Sequence, residues 1–121
     1  MIANYYGMIS LIDHNLGRIN TVIDDLGLNK TTLRVFTSDH GEWLGDHGLL
    51  LKGPMLYEGL LRVGLILQAP WIEGGSSIYE TVSTLDIAPT IYDYAKLNPH
   101  QNLHGQSLRP LIENSGTRDY A

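Results

Sequence analysis

The chain has 121 residues, 43% of them hydrophobic, and a formal net charge of −5, which together indicate a folded globular protein and exclude a disordered one. Its eight lysines and arginines are scattered, and no apolar run reaches the length of a membrane span, so neither nucleic acid nor a membrane is expected as a partner. It has no cysteine, which excludes disulfides, thiolate metal sites and a cysteine nucleophile within these residues.

The first predicted element is a long amphipathic helix. Apolar residues recur at alternating spacings of three and four from Ile2 to Leu26, which places them on one helical face. Gly27 follows as the expected C-terminal cap. The spacing also fits a coiled coil, but the pattern is short and leads straight into a strand, so a helix packed on a sheet is the favoured interpretation.

Two apolar runs predict strands on either side of a long loop. Leu33 to Thr37 is predicted to be a strand buried on both faces, and Arg62 to Gln68 carries the second strand. Residues 39–54 form the loop, which glycines interrupt, and residues 55–61 form a helical turn. This order indicates α/β layers. Because two interior strands need further neighbours, residues 1–121 are interpreted as a single domain that is the C-terminal part of something larger.

The last third of the chain is predicted to be helical. Ser83-Thr84-Leu85-Asp86 resembles a capping box with Asp in place of Glu, and it opens a helix that runs to about Ala95. Pro89 is compatible with that helix only in its first turn. A polar loop from Asn98 to Gly105 follows, and then a short helical turn from Ser107 to Ile112.

The loop after the first strand concentrates the polar groups. Asp39 and His40 directly follow the strand, at the strand end where α/β sheets usually bind ligands. An adjacent carboxylate and imidazole suit a divalent cation, and His47 and Lys52 could hold an anion beside it. The residues alone leave open a capping role for Asp39, a structural role for His47 and a solvated position for Lys52.

Other aromatic and imidazole side chains give weaker signals. Trp43 and Trp71 could flank a substrate pocket, although packing is the commoner use of tryptophan. His14, His100 and His104 have no ligand spacing, so structural roles are predicted for them.

A series of short motifs runs from about Tyr5 to Leu111. The main ones are Thr37-Ser38-Asp39-His40-Gly41, Leu44-Gly45-Asp46-His47-Gly48, Lys52-Gly53-Pro54, Tyr57-Glu58, Leu61-Arg62-Val63, Ser83-Thr84-Leu85-Asp86-Ile87-Ala88-Pro89-Thr90 and Gly105-Gln106-Ser107-Leu108. In this order they closely resemble the C-terminal half of type I sulfatases, which belong to the alkaline phosphatase superfamily. The resemblance implies part of an alkaline-phosphatase-like α/β sandwich, with a mostly parallel sheet flanked by helices.

The resemblance also implies roles for the loop residues. Asp39 and His40 would be two ligands of the catalytic divalent cation, usually calcium in this family, and Lys52 would contact the sulfate group. His47 would lie near the substrate, which the family implies is a small-molecule or carbohydrate sulfate ester.

Two features of that family are missing from these residues. They are a paired-aspartate metal site and a Cys or Ser that is converted to formylglycine, the nucleophile. Ser38 is no substitute, because it precedes the ligand pair and lacks the surrounding motif. The chain is therefore expected to be inactive alone, with the N-terminal part of the domain as the partner that supplies these groups.

The leading hypothesis is a sulfuric ester hydrolase segment that carries metal-binding and sulfate-binding residues. One alternative is a phosphate or phosphonate monoester hydrolase of the same superfamily, which needs the same metal and anion groups. Another is a non-catalytic protein, either a remnant or a module that packs on a partner. Lys52 favours the sulfatase over the other hydrolases.

Overall fold

The computed structural model describes residues 1–99 and 102–113. Its helices and strands are α1 (Ile2–Asp25), β1 (Arg34–Thr37), α2 (Glu58–Leu61), β2 (Leu65–Gln68), α3 (Ile87–Tyr94) and α4 (Arg109–Ile112), with 3₁₀ turns at Leu28–Lys30, Asp46–Gly48 and Thr84–Asp86. The chain divides into two compact units, Met1–Pro70 and Trp71–Ala121. The single-domain interpretation stays a prediction. His100, for which a structural role is predicted, lies outside the described residues.

Helix α1 is the amphipathic helix that the apolar spacing predicts. Gly27 follows it at a φ of 68°, a left-handed conformation that glycine adopts without steric cost. No side chain of α1 is buried, so the expected packing on a sheet is not formed within the described part of the chain. Polar contacts tie the helix to β1 instead, because the Arg34 guanidinium donates to Asn20 Oδ1 at 3.1 Å and to Asp24 Oδ1 at 3.2 Å.

Strands β1 and β2 form an antiparallel pair in which Phe36 lies opposite Ile66 and Thr37 opposite Leu65. Because the pair is antiparallel, the residues between the strands return to the end of the sheet at which β1 finishes. The prediction that β1 is buried on both faces is wrong. The pair leaves one face, with Phe36 40% and Ile66 61% exposed, open to solvent.

The Trp71–Ala121 unit is organised around the buried side chain of Asp86. The Leu85 N–H donates to Ser83 Oγ at 3.2 Å, and the Ser83 N–H donates to Asp86 Oδ2 at 2.7 Å, which confirms the predicted capping box. The second carboxyl oxygen, Oδ1, accepts from the Gln106 N–H at 2.9 Å. One side chain therefore caps the helical segment and fixes a loop 20 residues further along.

Thr90 and two leucines form the buried interior of the same unit. Thr90 Oγ1 donates to the Asp86 carbonyl at 2.6 Å and accepts from the Leu108 N–H at 2.8 Å. Leu108 and Leu111 are buried, and α4 contacts α3. Gly105 lies so close to the backbone of this helical segment that a Cβ there would overlap it. Within residues 1–99 and 102–113, no helix has the length and apolar content that a bilayer crossing requires.

Candidate functional site

The loop that follows β1 is held against α2 by its backbone. The Gly41 N–H donates to the Leu60 carbonyl at 2.7 Å. The α-carbon of Gly41 lies against the Gly59 carbonyl oxygen, where a Cβ would overlap that oxygen. This close approach requires glycine at position 41, and it fixes the backbone beside His40.

The hydrogen bonds of His40 define which ring nitrogen carries the proton. Nδ1 lies 2.8 Å from the Gly41 carbonyl oxygen, which can only accept, so Nδ1 is the donor. Lys52 Nζ lies 2.9 Å from Nε2 and donates to it, because an ammonium has no lone pair to offer. In this arrangement the Nε2 lone pair of His40 is the group that faces Lys52. An imidazole whose other nitrogen is fixed by a carbonyl oxygen is a typical metal ligand.

Asp39 presents its carboxylate next to that nitrogen. Oδ1 accepts from the His40 N–H at 2.9 Å, and Oδ2 lies 3.6 Å from His40 Nε2. The hydrogen bond from the His40 backbone lowers the pKa of the Asp39 carboxyl from its usual value, so the group is ionised at neutral pH. Because the side chain is 84% exposed, its oxygens remain accessible to a further ligand.

The two side chains fit two positions of a divalent-cation shell. An ionised carboxylate oxygen and an unprotonated imidazole nitrogen lie 3.6 Å apart, which is the donor set expected of hard and borderline cations. Among the residues that the structure describes, no group of three or more His, Cys, Asp or Glu side chains could hold a metal ion. Calcium takes about six to eight oxygen ligands, so these residues provide only part of a shell.

His47 lies in a different contact from the other predicted site residues. Its ring stacks on Tyr57, with centroids 3.9 Å apart and an angle of 19° between the planes. Its φ of 54° is left-handed, a conformation that costs a residue with a side chain about 1–2 kcal/mol. The sequence gives no signal for Tyr57 as the stacking partner, because residues ten apart in an irregular loop follow no repeat. The role of His47 near a substrate stays a prediction.

Strain is concentrated in this loop. Leu44 and Leu51 also have positive φ angles, of 52° and 63°. Non-glycine residues keep such conformations only where the surrounding contacts determine them. The structure thus brings Asp39, His40 and Lys52 together through contacts of His40 with the other two, in a loop whose strained residues lie elsewhere along it.

Comparison with known proteins gives concordant matches. The sulfatase family model matches residues 1–97. An arylsulfatase of Clostridium perfringens is 39% identical, over 98% of this chain and 26% of its own length. A phosphonate monoester hydrolase of Agrobacterium radiobacter superposes with a TM-score of 0.88 at 37% identity, over 97% of this chain and 23% of that one. A protein solved in complex with its substrate D-glucosamine-2-N,6-O-disulfate superposes with a TM-score of 0.72 at 35% identity, over 87% and 21%. The chain thus spans about a quarter of the length of these proteins or less.

Proposed function

The chain belongs to the sulfatase family, and from this membership we propose that it supplies metal-binding and sulfate-binding residues to a sulfuric ester hydrolase. The likeness to solved hydrolases confirms the alkaline-phosphatase-like α/β class of the fold. The observation that carries the proposal is the 2.9 Å contact between Lys52 Nζ and His40 Nε2 beside Asp39. In this contact the Lys52 ammonium lies at the imidazole nitrogen that is 3.6 Å from the exposed carboxylate of Asp39.

Asp39 and His40 would hold the divalent cation, with calcium as the family implies. When bound, such a cation stabilises the negative charge that develops on the oxygens of a reacting ester. Nε2 of His40 has one lone pair, so Lys52 releases it when His40 serves as a ligand. The freed ammonium can then contact a sulfate oxygen as a point charge. His47 would face the substrate from its stack on Tyr57.

The proposed substrate is a small-molecule or carbohydrate sulfate ester. It is supported by the similar protein whose substrate is a sulfated glucosamine. The proposed partner is the N-terminal part of a sulfatase domain, which would bring the paired aspartates and the formylglycine. Support comes from the length of the matched arylsulfatase, of which this chain covers 26%.

A phosphonate monoester hydrolase is the second candidate, because such an enzyme superposes with a TM-score of 0.88. Phosphonate and sulfate esters present similar anionic oxygens to a cation and a lysine. The partial site formed by Asp39, His40 and Lys52 would therefore suit either reaction. A non-catalytic module is the third candidate, and its mark would be a folded chain that supports neither reaction.

We expect the isolated chain to bind calcium weakly, with a Kd above about 10⁻⁵ M, the weak end of the range for sensor sites. The physical reason is that Asp39 and His40 leave most of the calcium shell unfilled. Calorimetric titration of the purified chain measures this, with Asp39→Asn as the matched control that removes the charged ligand. A tighter Kd that Asp39→Asn abolishes would contradict the partial shell.

A chimera tests the function itself. In the arylsulfatase of Clostridium perfringens, the matched segment is replaced by this chain, and hydrolysis of an aryl sulfate and an aryl phosphonate ester is measured. We expect sulfate ester hydrolysis, and we expect Lys52→Ala to lower kcat/KM about a hundredfold, as loss of a charge-stabilising donor does. Lys30→Ala is the control, since that lysine ends a 3₁₀ turn outside the loop. Preference for the phosphonate would establish the second candidate, and a folded chimera inactive on both esters would establish the third.

A further inference from the structure

Trp43 is buried in the middle of the loop that carries the candidate site. Its side chain is only 4% exposed. Its backbone N–H donates to the Leu51 carbonyl at 3.3 Å, so it binds the chain one residue before Lys52. Leu51 itself has a φ of 63°, which such an external contact helps to maintain.

The ring of Trp43 contacts the chain one residue after Lys52. A Cβ built on Gly53 would lie 2.9 Å from Cη2 and 3.2 Å from Cζ3 of the indole. Gly53 is not among the residues with positive φ, so the ring and not the backbone conformation disfavours a larger side chain there. Trp43 therefore contacts the residues directly before and directly after Lys52.

The indole is retained at a cost. Its Nε1 has no hydrogen-bond partner among the described residues, and a buried donor without an acceptor destabilises the fold. A phenylalanine would avoid that cost, but it lacks the outer ring atoms that approach Gly53. Contact with Gly53 thus explains why an indole, and not a smaller ring, occupies this position.

We propose that Trp43, together with Gly53, is the positioning residue for Lys52, an inference that rests on the proposed function. Lysine has four rotatable side-chain bonds and loses much rotamer entropy when it is fixed. A backbone held on both sides limits where the ammonium can reach. It therefore favours the 2.9 Å contact with His40 Nε2, from which Lys52 would be delivered to an anion.

A double-mutant cycle tests this with four ¹⁵N-labelled chains: the natural one, Trp43→Phe, Gly53→Ala and the double variant. NMR detects the Lys52 ammonium cross-peak and the ¹⁵N shift of His40 Nε2, which both report their contact. We expect Gly53→Ala to abolish the ammonium cross-peak and shift Nε2, and Trp43→Phe to weaken the cross-peak. The double variant should restore both signals, because the alanine methyl fills the space that the outer indole atoms leave.

Gly64→Ala is the matched control, since a Cβ there meets nothing within 4 Å, and it should leave both signals unchanged. Urea unfolding of every variant separates a change in the position of Lys52 from a change in the free energy of unfolding. Unchanged signals in folded Gly53→Ala, or a double variant that regains stability without regaining the Lys52 signal, would overturn the proposal. If Gly53→Ala does not fold, the Trp43→Phe and double variants still test the proposal. The Lys52 cross-peak and the His40 Nε2 shift of the double variant should lie nearer those of the natural chain than the signals of Trp43→Phe do. These signals need neither metal nor ester, so their failure is distinct from failure of the chimera.

Discussion

Replacement of Asp86 by alanine is expected to destabilise the Trp71–Ala121 unit by about 2–6 kcal/mol, because each of two buried donors left without its acceptor costs about 1–3 kcal/mol. The carboxyl group is fully buried and accepts from the N–H groups of Ser83 and Gln106. Alanine leaves both donors without their acceptor in a place that water does not reach. The capped helix and the distant loop lose their common anchor together.

Urea unfolding, followed through the indole N–H resonance of Trp71, measures that loss in the unit that contains it. Asp86→Asn is the matched control and should cost less, because its one amide oxygen still accepts from one of the two donors. Ser83→Ala removes the cap alone and should cost about 1 kcal/mol. A loss below that value for Asp86→Ala would contradict the anchoring role.

Replacement of Gly41 by alanine is expected to cost about 3–4 kcal/mol, in the upper half of the range for overpacking (about 1–3 kcal/mol) plus one lost hydrogen bond (about 0.5–1.5 kcal/mol). The added methyl overlaps the Gly59 carbonyl oxygen, which is backbone and cannot rotate away. Relief of that overlap breaks the bond from the Gly41 N–H to the Leu60 carbonyl. The backbone next to His40 must then move.

The unfolding midpoint, read from the Trp43 indole resonance, tests this prediction in the Met1–Pro70 unit. The His40 ¹⁵N shifts should show loss of the fixed tautomer at the same time. Gly17→Ala is a control of opposite sign, because that glycine lies inside α1 with nothing within 4 Å of a Cβ. It should stabilise the chain by up to about 1 kcal/mol. A Gly41→Ala chain as stable as the Gly17→Ala chain would refute the close approach.

Local elements were predictable because their causes lie within a few residues. The helical period of apolar side chains fixes α1, and Ser83 to Asp86 form their capping box across three residues. The burial of β1 was not predictable in this way. An apolar run indicates a strand that can be buried, but neighbours distant in the chain decide whether Phe36 is covered.

The candidate site likewise has one part that the sequence predicts and another that contacts between distant residues decide. Asp39 and His40 are adjacent in the chain, so their proximity needs no fold, and the motif order gave the family that the comparisons confirm. The motif named Lys52, but its distance from His40 Nε2 follows from contacts of Trp43 with residues on both sides of it.

The sequence by itself thus determined the helices, the cap and the family, because residue spacing and side-chain chemistry follow from the order of the chain. The roles of Asp39 and His40 as metal ligands stay predictions. Only the tertiary structure decided the antiparallel pairing, the stack of His47 on Tyr57 and the proton position on His40. The pairing and the stack depend on the approach of residues that are not neighbours in sequence, and the proton position depends on Lys52 as well as on the adjacent Gly41 carbonyl. Packing and hydrogen-bond geometry select these contacts.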